Sequence, residues 1–223
     1  MNPQTNSNQN SDNPHEVASN NVYQFKIILI GDSAVGKTSL INRFMGSEFQ
    51  ENITCTINAD FKLKSLSLDA SNGVDLTVWD TCGQEKYRSM TRQYFKDAQG
   101  IVLVYDVNNE NSFKGLPLWL NEVKTNCNNN NVSIVLVGNK IDLNERVISK
   151  EEGNEFAQTN GLMYVETSSK DGININTPFE NLSNDIIQKI KQNQNGYNAQ
   201  NLKKIERYEI EREREREKEV KCC

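Results

Sequence analysis

The sequence predicts an α/β fold in which a mostly parallel six-stranded sheet with one antiparallel strand carries helices on both faces. Three observations predict it. Short apolar runs alternate with helical segments through the middle of the chain, one pair of runs has the period-2 pattern of a hairpin, and the first run ends in a glycine-bearing turn that opens a helix. Phe25 to Ile30 (FKIILI) is too short for a helix and stops at Gly31, which makes it a buried strand. A helical stretch is expected from Gly36 to Met45. Asp60 to Leu68 (DFKLKSLSL) and Val74 to Trp79 (VDLTVW) alternate apolar with polar around a turn at Asn72-Gly73, so they pair antiparallel. Ile101 to Tyr105, Ser133 to Val137 and Leu162 to Val165 supply the remaining strands, with helical segments between them. Two capping boxes, Ser149 to Glu152 and Thr177 to Glu180, mark helix starts, the second with Pro178 at the first helical position. Phe179, Leu182, Ile186 and Ile190 then share one face, so the last helix packs on the sheet and closes the domain near Lys191.

Composition bounds the rest. A chain of 223 residues with 36% hydrophobic content is too polar to be packed throughout, and the shortfall lies at the ends. Residues 1–21, rich in Asn, Ser and Gln, are expected to be a disordered N-terminal extension without the apolar segment of a signal peptide. Residues 22–192 form the domain. Residues 193–223 form a tail in which Glu and Arg alternate before Cys222-Cys223, either a solvated helix or an extended linker. No apolar run is long enough to span a bilayer. A net charge of -5 argues against nucleic acid as a partner, and five cysteines without paired spacing point to a reducing compartment rather than a disulfide framework or zinc site.

The chemistry sits at strand ends. Gly31-Asp32-Ser33-Ala34-Val35-Gly36-Lys37-Thr38 matches G-x-x-x-x-G-K-[ST] between a strand and a helix, the context that makes it a phosphate loop. Its N–H groups and the helix N-terminus converge on one anion, Lys37 neutralises β and γ oxygens, and the Thr38 hydroxyl can ligate Mg²⁺. That motif allows ATP or GTP. Asn139-Lys140-Ile141-Asp142 after the next-to-last strand favours guanine, because a carboxylate accepts both N1–H and N2–H of guanine and adenine offers no such pair. Ser168, Ser169 and Lys170, after the last strand, can close over the base. Asp80 sits where a carboxylate holds Mg²⁺ through water, Gly83 can present its N–H to a γ-phosphate, and Gln84 can orient an attacking water as the catalytic residue.

These motifs, in this order, resemble the small GTPases of the Ras superfamily, a P-loop NTPase fold. Asp60-Phe61, Trp79 to Glu85 (WDTCGQE), Tyr94 to Gly100 (YFKDAQG) and the terminal Cys-Cys are similar to the Rab family in particular. The resemblance implies that Thr56 ligates Mg²⁺ and senses the γ-phosphate, and that Phe49 flanks the guanine. It implies an effector surface of Ile57, Phe61, Trp79 and Tyr94. It implies dual geranylgeranylation of Cys222 and Cys223, which makes physical sense because one lipid binds a membrane marginally and the charge-balanced tail lacks a polybasic patch. The implied protein is a monomeric switch in vesicle and membrane trafficking on the cytosolic face of an intracellular membrane, cycling with cytosol. It binds GTP or GDP with Mg²⁺ and hydrolyses GTP slowly. Its implied partners are effectors, an exchange factor, a GTPase-activating protein, a GDP-dissociation inhibitor and the prenylation machinery. The family usually has Gly and Val where Asn58 and Ala59 stand, Ala where Cys82 stands and commonly Tyr where Ile53 stands. Those departures bear on effector choice and break no phosphate, Mg²⁺ or guanine position. The competing readings are a nucleoside kinase, against which there is no evident lid or second substrate pocket, a non-hydrolysing GTP-binding scaffold, and another branch of the superfamily.

Overall fold

A computed structural model describes residues 21–51, 56, 60–69, 72–81, 94–128 and 131–192. The strands are β1 (Asn21–Ile30), β2 (Asp60–Ser67), β3 (Asn72–Asp80), β4 (Gly100–Asp106), β5 (Ser133–Asn139) and β6 (Met163–Thr167). They form one six-stranded sheet in the order β2-β3-β1-β4-β5-β6. Among the described strands, only the β2–β3 pairing is antiparallel. Its register sets Asp60 opposite Asp80 and Phe61 opposite Trp79. The described helices are α1 (Lys37–Phe44), α2 (Glu110–Lys114), α3 (Leu116–Asn126), α4 (Lys150–Thr159) and α5 (Thr177–Gln192).

Successive strand residues go to opposite faces, and the core follows that period. Ile27 and Leu29 of β1 join Leu40, Phe44, Phe179, Leu182 and Ile186 on one side, against α1 and α5. Ile28 and Ile30 join Leu103, Leu116, Trp119, Val123 and Ala157 on the other, against α3 and α4. Each such fully buried aliphatic side chain stabilises the fold by about 1.5–3 kcal/mol. Phe44 and Phe179 stack at 3.7 Å between ring centroids and tie α1 to α5.

Two expectations shift. β1 begins at Asn21 rather than Phe25, because parallel pairing with β3 runs from Asn21 opposite Asn72 to Leu29 opposite Asp80 and recruits residues without an apolar run. The expected capping box at Thr177 is displaced. The helix already includes Thr177, and the Asn176 carbonyl accepts from Glu180 N at 3.0 Å, so Asn176 is the residue that leads into it. The box at Ser149 stands as expected, with Ser149 Oγ accepting from Glu152 N and the Glu152 carboxylate accepting from Ser149 N. Among the described residues no helix is long and apolar enough to cross a membrane.

Candidate nucleotide site

The carboxyl ends of β1, β3, β5 and β6 converge on a cavity of about 420 Å³. This is where a twisted parallel sheet leaves room for a ligand. The loop after β1 forms one wall. Its turn depends on two glycines: a Cβ at Gly31, with φ +137°, would lie 2.1 Å from the Val104 carbonyl oxygen, and one at Gly36, with φ +96°, would lie 2.3 Å from Asn139 Nδ2. Ala34 adopts the same left-handed region at φ 62°, at a cost of about 1 kcal/mol for a residue with a Cβ. Lys37 is 6% exposed and curls its ammonium back over the loop, donating to the carbonyls of Gly31 at 2.8 Å and Asp32 at 2.7 Å. Ser33, Ala34, Gly36, Lys37 and Thr38 line the cavity. The Val35 side chain is instead buried in the core and the Asp32 carboxylate accepts from Trp119 Nε1 at 2.8 Å, so these two residues can serve an anion through their backbone only.

At one end of the cavity three side-chain oxygen groups meet. Thr38 Oγ1 lies 2.9 Å from Thr56 Oγ1 and donates to Asp80 Oδ2 at 2.7 Å, while Thr56 Oγ1 reaches the same oxygen at 3.5 Å. The other carboxylate oxygen, Asp80 Oδ1, is buried with no hydrogen-bond partner among the described residues. Burial pushes the Asp80 carboxyl above its ordinary pKa, and the Thr38 hydroxyl and the Lys37 charge only partly offset it. A hard divalent cation fits this set. It takes hydroxyl and carboxylate oxygens, and it would supply the positive charge that a buried carboxylate with an orphan oxygen lacks.

At the other end Asn139 is a hub, 1% exposed. Its Nδ2 donates to the Val35 carbonyl at 2.9 Å, and its Oδ1 accepts from Thr167 Oγ1 at 3.0 Å and from the backbone and hydroxyl of Ser169 at 3.3 and 3.2 Å. Asp142 lines the cavity with one oxygen fixed by Ser168 Oγ at 2.7 Å, and Ser168 Oγ accepts from Asp171 N at 2.9 Å. Ser168 therefore acts through Asp142 rather than from the cavity wall, whereas Ser169, Lys170, Phe49 and Lys140 line it directly. Lys140 has φ 69° and pairs with Asp106 at 2.8 Å.

Sequence reasoning missed Asp106, although it ends an apolar strand directly opposite Asn139 in the sheet, which was a usable signal. It also missed Ser39, Thr81 and Leu143 on the cavity wall and Trp119 behind the loop. Away from the cavity, Phe61, Trp79 and Tyr94 form a ladder of rings with centroids 5.0 and 5.2 Å apart, and Lys26 Nζ lies 5.3 Å from the Trp79 ring centroid. Ile53, Ile57, Asn58, Ala59, Cys82, Gly83, Gln84, Cys222 and Cys223 lie outside the described residues.

Comparison with known proteins agrees with this arrangement. Residues 26–188 match the family model described as "Ras family". The chain is 42% identical over 163 residues to Ras-related protein Rab-18-B of Danio rerio, covering 73% of this chain and 79% of that one. It is 42% identical over 163 residues to Ras-related protein Rab-18 of Caenorhabditis elegans, covering 73% and 80%. It is 39% identical over 178 residues to Ras-related protein Rab-8B of Pongo abelii, covering 79% and 85%. With the phosphate loop, the guanine-side hub and these relatives in agreement, the chain belongs to the Rab family of small GTPases, which bind GTP and GDP and hydrolyse GTP.

Proposed function

We propose that this GTPase is a membrane-trafficking switch in which Mg²⁺ is held by Thr38, Thr56 and, through water, Asp80. The observation that carries the proposal is the meeting of those three side chains around a buried, unpartnered carboxylate oxygen, beside a phosphate loop whose lysine already points inward. When bound, Mg²⁺ neutralises charge on β- and γ-phosphate oxygens. The loop N–H groups from Gly31 to Thr38 and the Lys37 ammonium hold the phosphates. Asp142 accepts from the guanine edge, with Asn139, Lys140, Ser168, Ser169 and Lys170 fixing the surrounding loops and Phe49 covering the base. Thr56 and Gly83 respond to the γ-phosphate, and Gln84 orients the attacking water.

Hydrolysis is slow in the isolated chain and rises when an activating protein completes the charge stabilisation, a contribution of about 10³–10⁵ in rate. GTP-dependent effectors bind across Ile57, Phe61, Trp79 and Tyr94. An exchange factor reloads the protein, and a GDP-dissociation inhibitor carries the lipidated form through the cytosol. The prenylation machinery modifies Cys222 and Cys223, which anchor the otherwise monomeric protein to the cytosolic face of an intracellular membrane. The domain spans residues 21–192, one residue earlier than expected because β1 starts at Asn21, between an N-terminal extension and a tail that acts as spacer.

Single-turnover GTP hydrolysis in cell extract tests the catalytic assignment. Gln84→Leu should lower the stimulated rate at least about a hundredfold while leaving GTP bound. Undiminished stimulated hydrolysis would remove Gln84 from its role. Fractionation tests the anchor: the double variant Cys222→Ser, Cys223→Ser should move the protein from membranes to the soluble fraction, and unchanged membrane association would refute it.

A further inference from the structure

We propose that Trp119 is a positioning residue for the nucleotide, holding the Asp32 carboxylate on the far side of the phosphate loop, away from the anion that the loop binds. The inference rests on the nucleotide reading of this cavity. An acid inside a phosphate loop is an electrostatic liability, because its charge lies within one residue of N–H groups that must face phosphate oxygens. Here the side chain is turned outward. Asp32 is absent from the cavity lining while its neighbours Ser33 and Ala34 face inward.

One hydrogen bond and one close approach define its place. Trp119, itself 2% exposed, donates its indole N–H to Asp32 Oδ1 at 2.8 Å. The second oxygen lies over Gly115, where an added Cβ would stand only 3.1 Å from Asp32 Oδ2. Gly115 is the junction between α2 and α3, C-cap of the first and N-cap of the second, and its lack of a side chain leaves room for the carboxylate. The same residue is gripped from inside the loop, since its carbonyl accepts from Lys37 Nζ at 2.7 Å. Trp119 thus stands on α3 but acts on the phosphate loop. Without its N–H, the half-buried carboxylate loses its charge-assisted partner and is free to shift relative to the loop.

The test is a double-mutant cycle on dissociation of fluorescent GDP in excess Mg²⁺. Trp119→Phe keeps the ring and removes the donor, and it should speed GDP release about tenfold in the natural background. In an Asp32→Asn background the same change should speed release less than twofold, because no charge is left to stray. Equal acceleration in both backgrounds would show that Trp119 only packs, and would overturn the proposal. Failure of the unmutated protein to retain GDP would instead strike the nucleotide reading itself. If Trp119→Phe does not fold, the indole proton of the GDP-bound protein decides. It should resist solvent exchange and its resonance should move in Asp32→Asn, whereas a freely exchanging or unmoved indole resonance would overturn the assignment.

Discussion

At the base end of the cavity Asn139 commits its whole side chain to the protein, donating to Val35 and accepting from Thr167 and Ser169, with Asp142 fixed beside it by Ser168. At the proposed metal end Thr38, Thr56 and Asp80 bond one another, and one oxygen of Asp80 has no hydrogen-bond partner among the described residues. The first arrangement is a closed hydrogen-bond network among protein groups. The second is underfilled with positive charge and is where added charge changes the balance. On the proposed reading, base recognition and switching are thereby separated along one cavity.

The largest effect should come from breaking the base end. Asn139→Ala leaves the Val35 carbonyl, the Thr167 hydroxyl and the Ser169 groups buried without a partner, at about 1–3 kcal/mol for each unsatisfied group. GDP release should accelerate about a hundredfold, and thermal melting should fall by several degrees. Release within twofold of the natural rate would mean that the hub is not what organises this end. A smaller and different effect is expected at the metal end. Asp80→Asn should speed GDP release about tenfold in Mg²⁺ and abolish further acceleration by chelators, yet leave the preference for GDP over ADP intact. A variant that lost base preference as well would show that the two ends are not separable.

The smallest effect lies outside both ends, under the ring ladder. Burial lowers the pKa of Lys26 to about 8, only partly opposed by Asp97. Between that value and the ordinary lysine pKa the unfolded chain holds a proton that the folded one has released, so stability should rise as pH climbs through this window. Melting curves across that pH range should show a rise that Lys26→Met flattens, with GDP preference unchanged throughout. A flat profile in the natural protein would remove this contribution.

Much of this was readable in advance, for a physical reason. The phosphate loop, the Asn139 to Asp142 segment and Asp80 lie at strand ends, where local pattern fixes both the element and its outlet. Period could also place the hairpin, although Leu63 of its apolar set is exposed and Leu66 packs on the core from the other face. What escaped was set by long-range packing. The bond of Trp119 to Asp32 spans 87 residues of sequence, and no local pattern announces it. The start of β1 escaped because Tyr23 and Gln24 are strand residues by virtue of β3 alongside them, with no apolar run to announce it. At α5 the local signal at Thr177 was real, but the carbonyl that closes the first turn belongs to Asn176.

The hairpin register carries one more consequence. Trp79 and Asp80 are consecutive on β3 and point to opposite faces of the sheet, with Phe61 and Asp60 directly across on β2. The ring ladder and the Asp80 carboxylate, which meets the cavity-lining Thr38 and Thr56, are therefore two sides of one short ribbon. By reciprocity of binding free energies, a protein that grips the rings more firmly when Asp80 has its cation must itself tighten that cation's hold by the same factor. On the proposed reading of this face, an effector that prefers the cation-loaded form also strengthens the hold on the cation, so the stability of the loaded state becomes a property of the pair rather than of the GTPase alone.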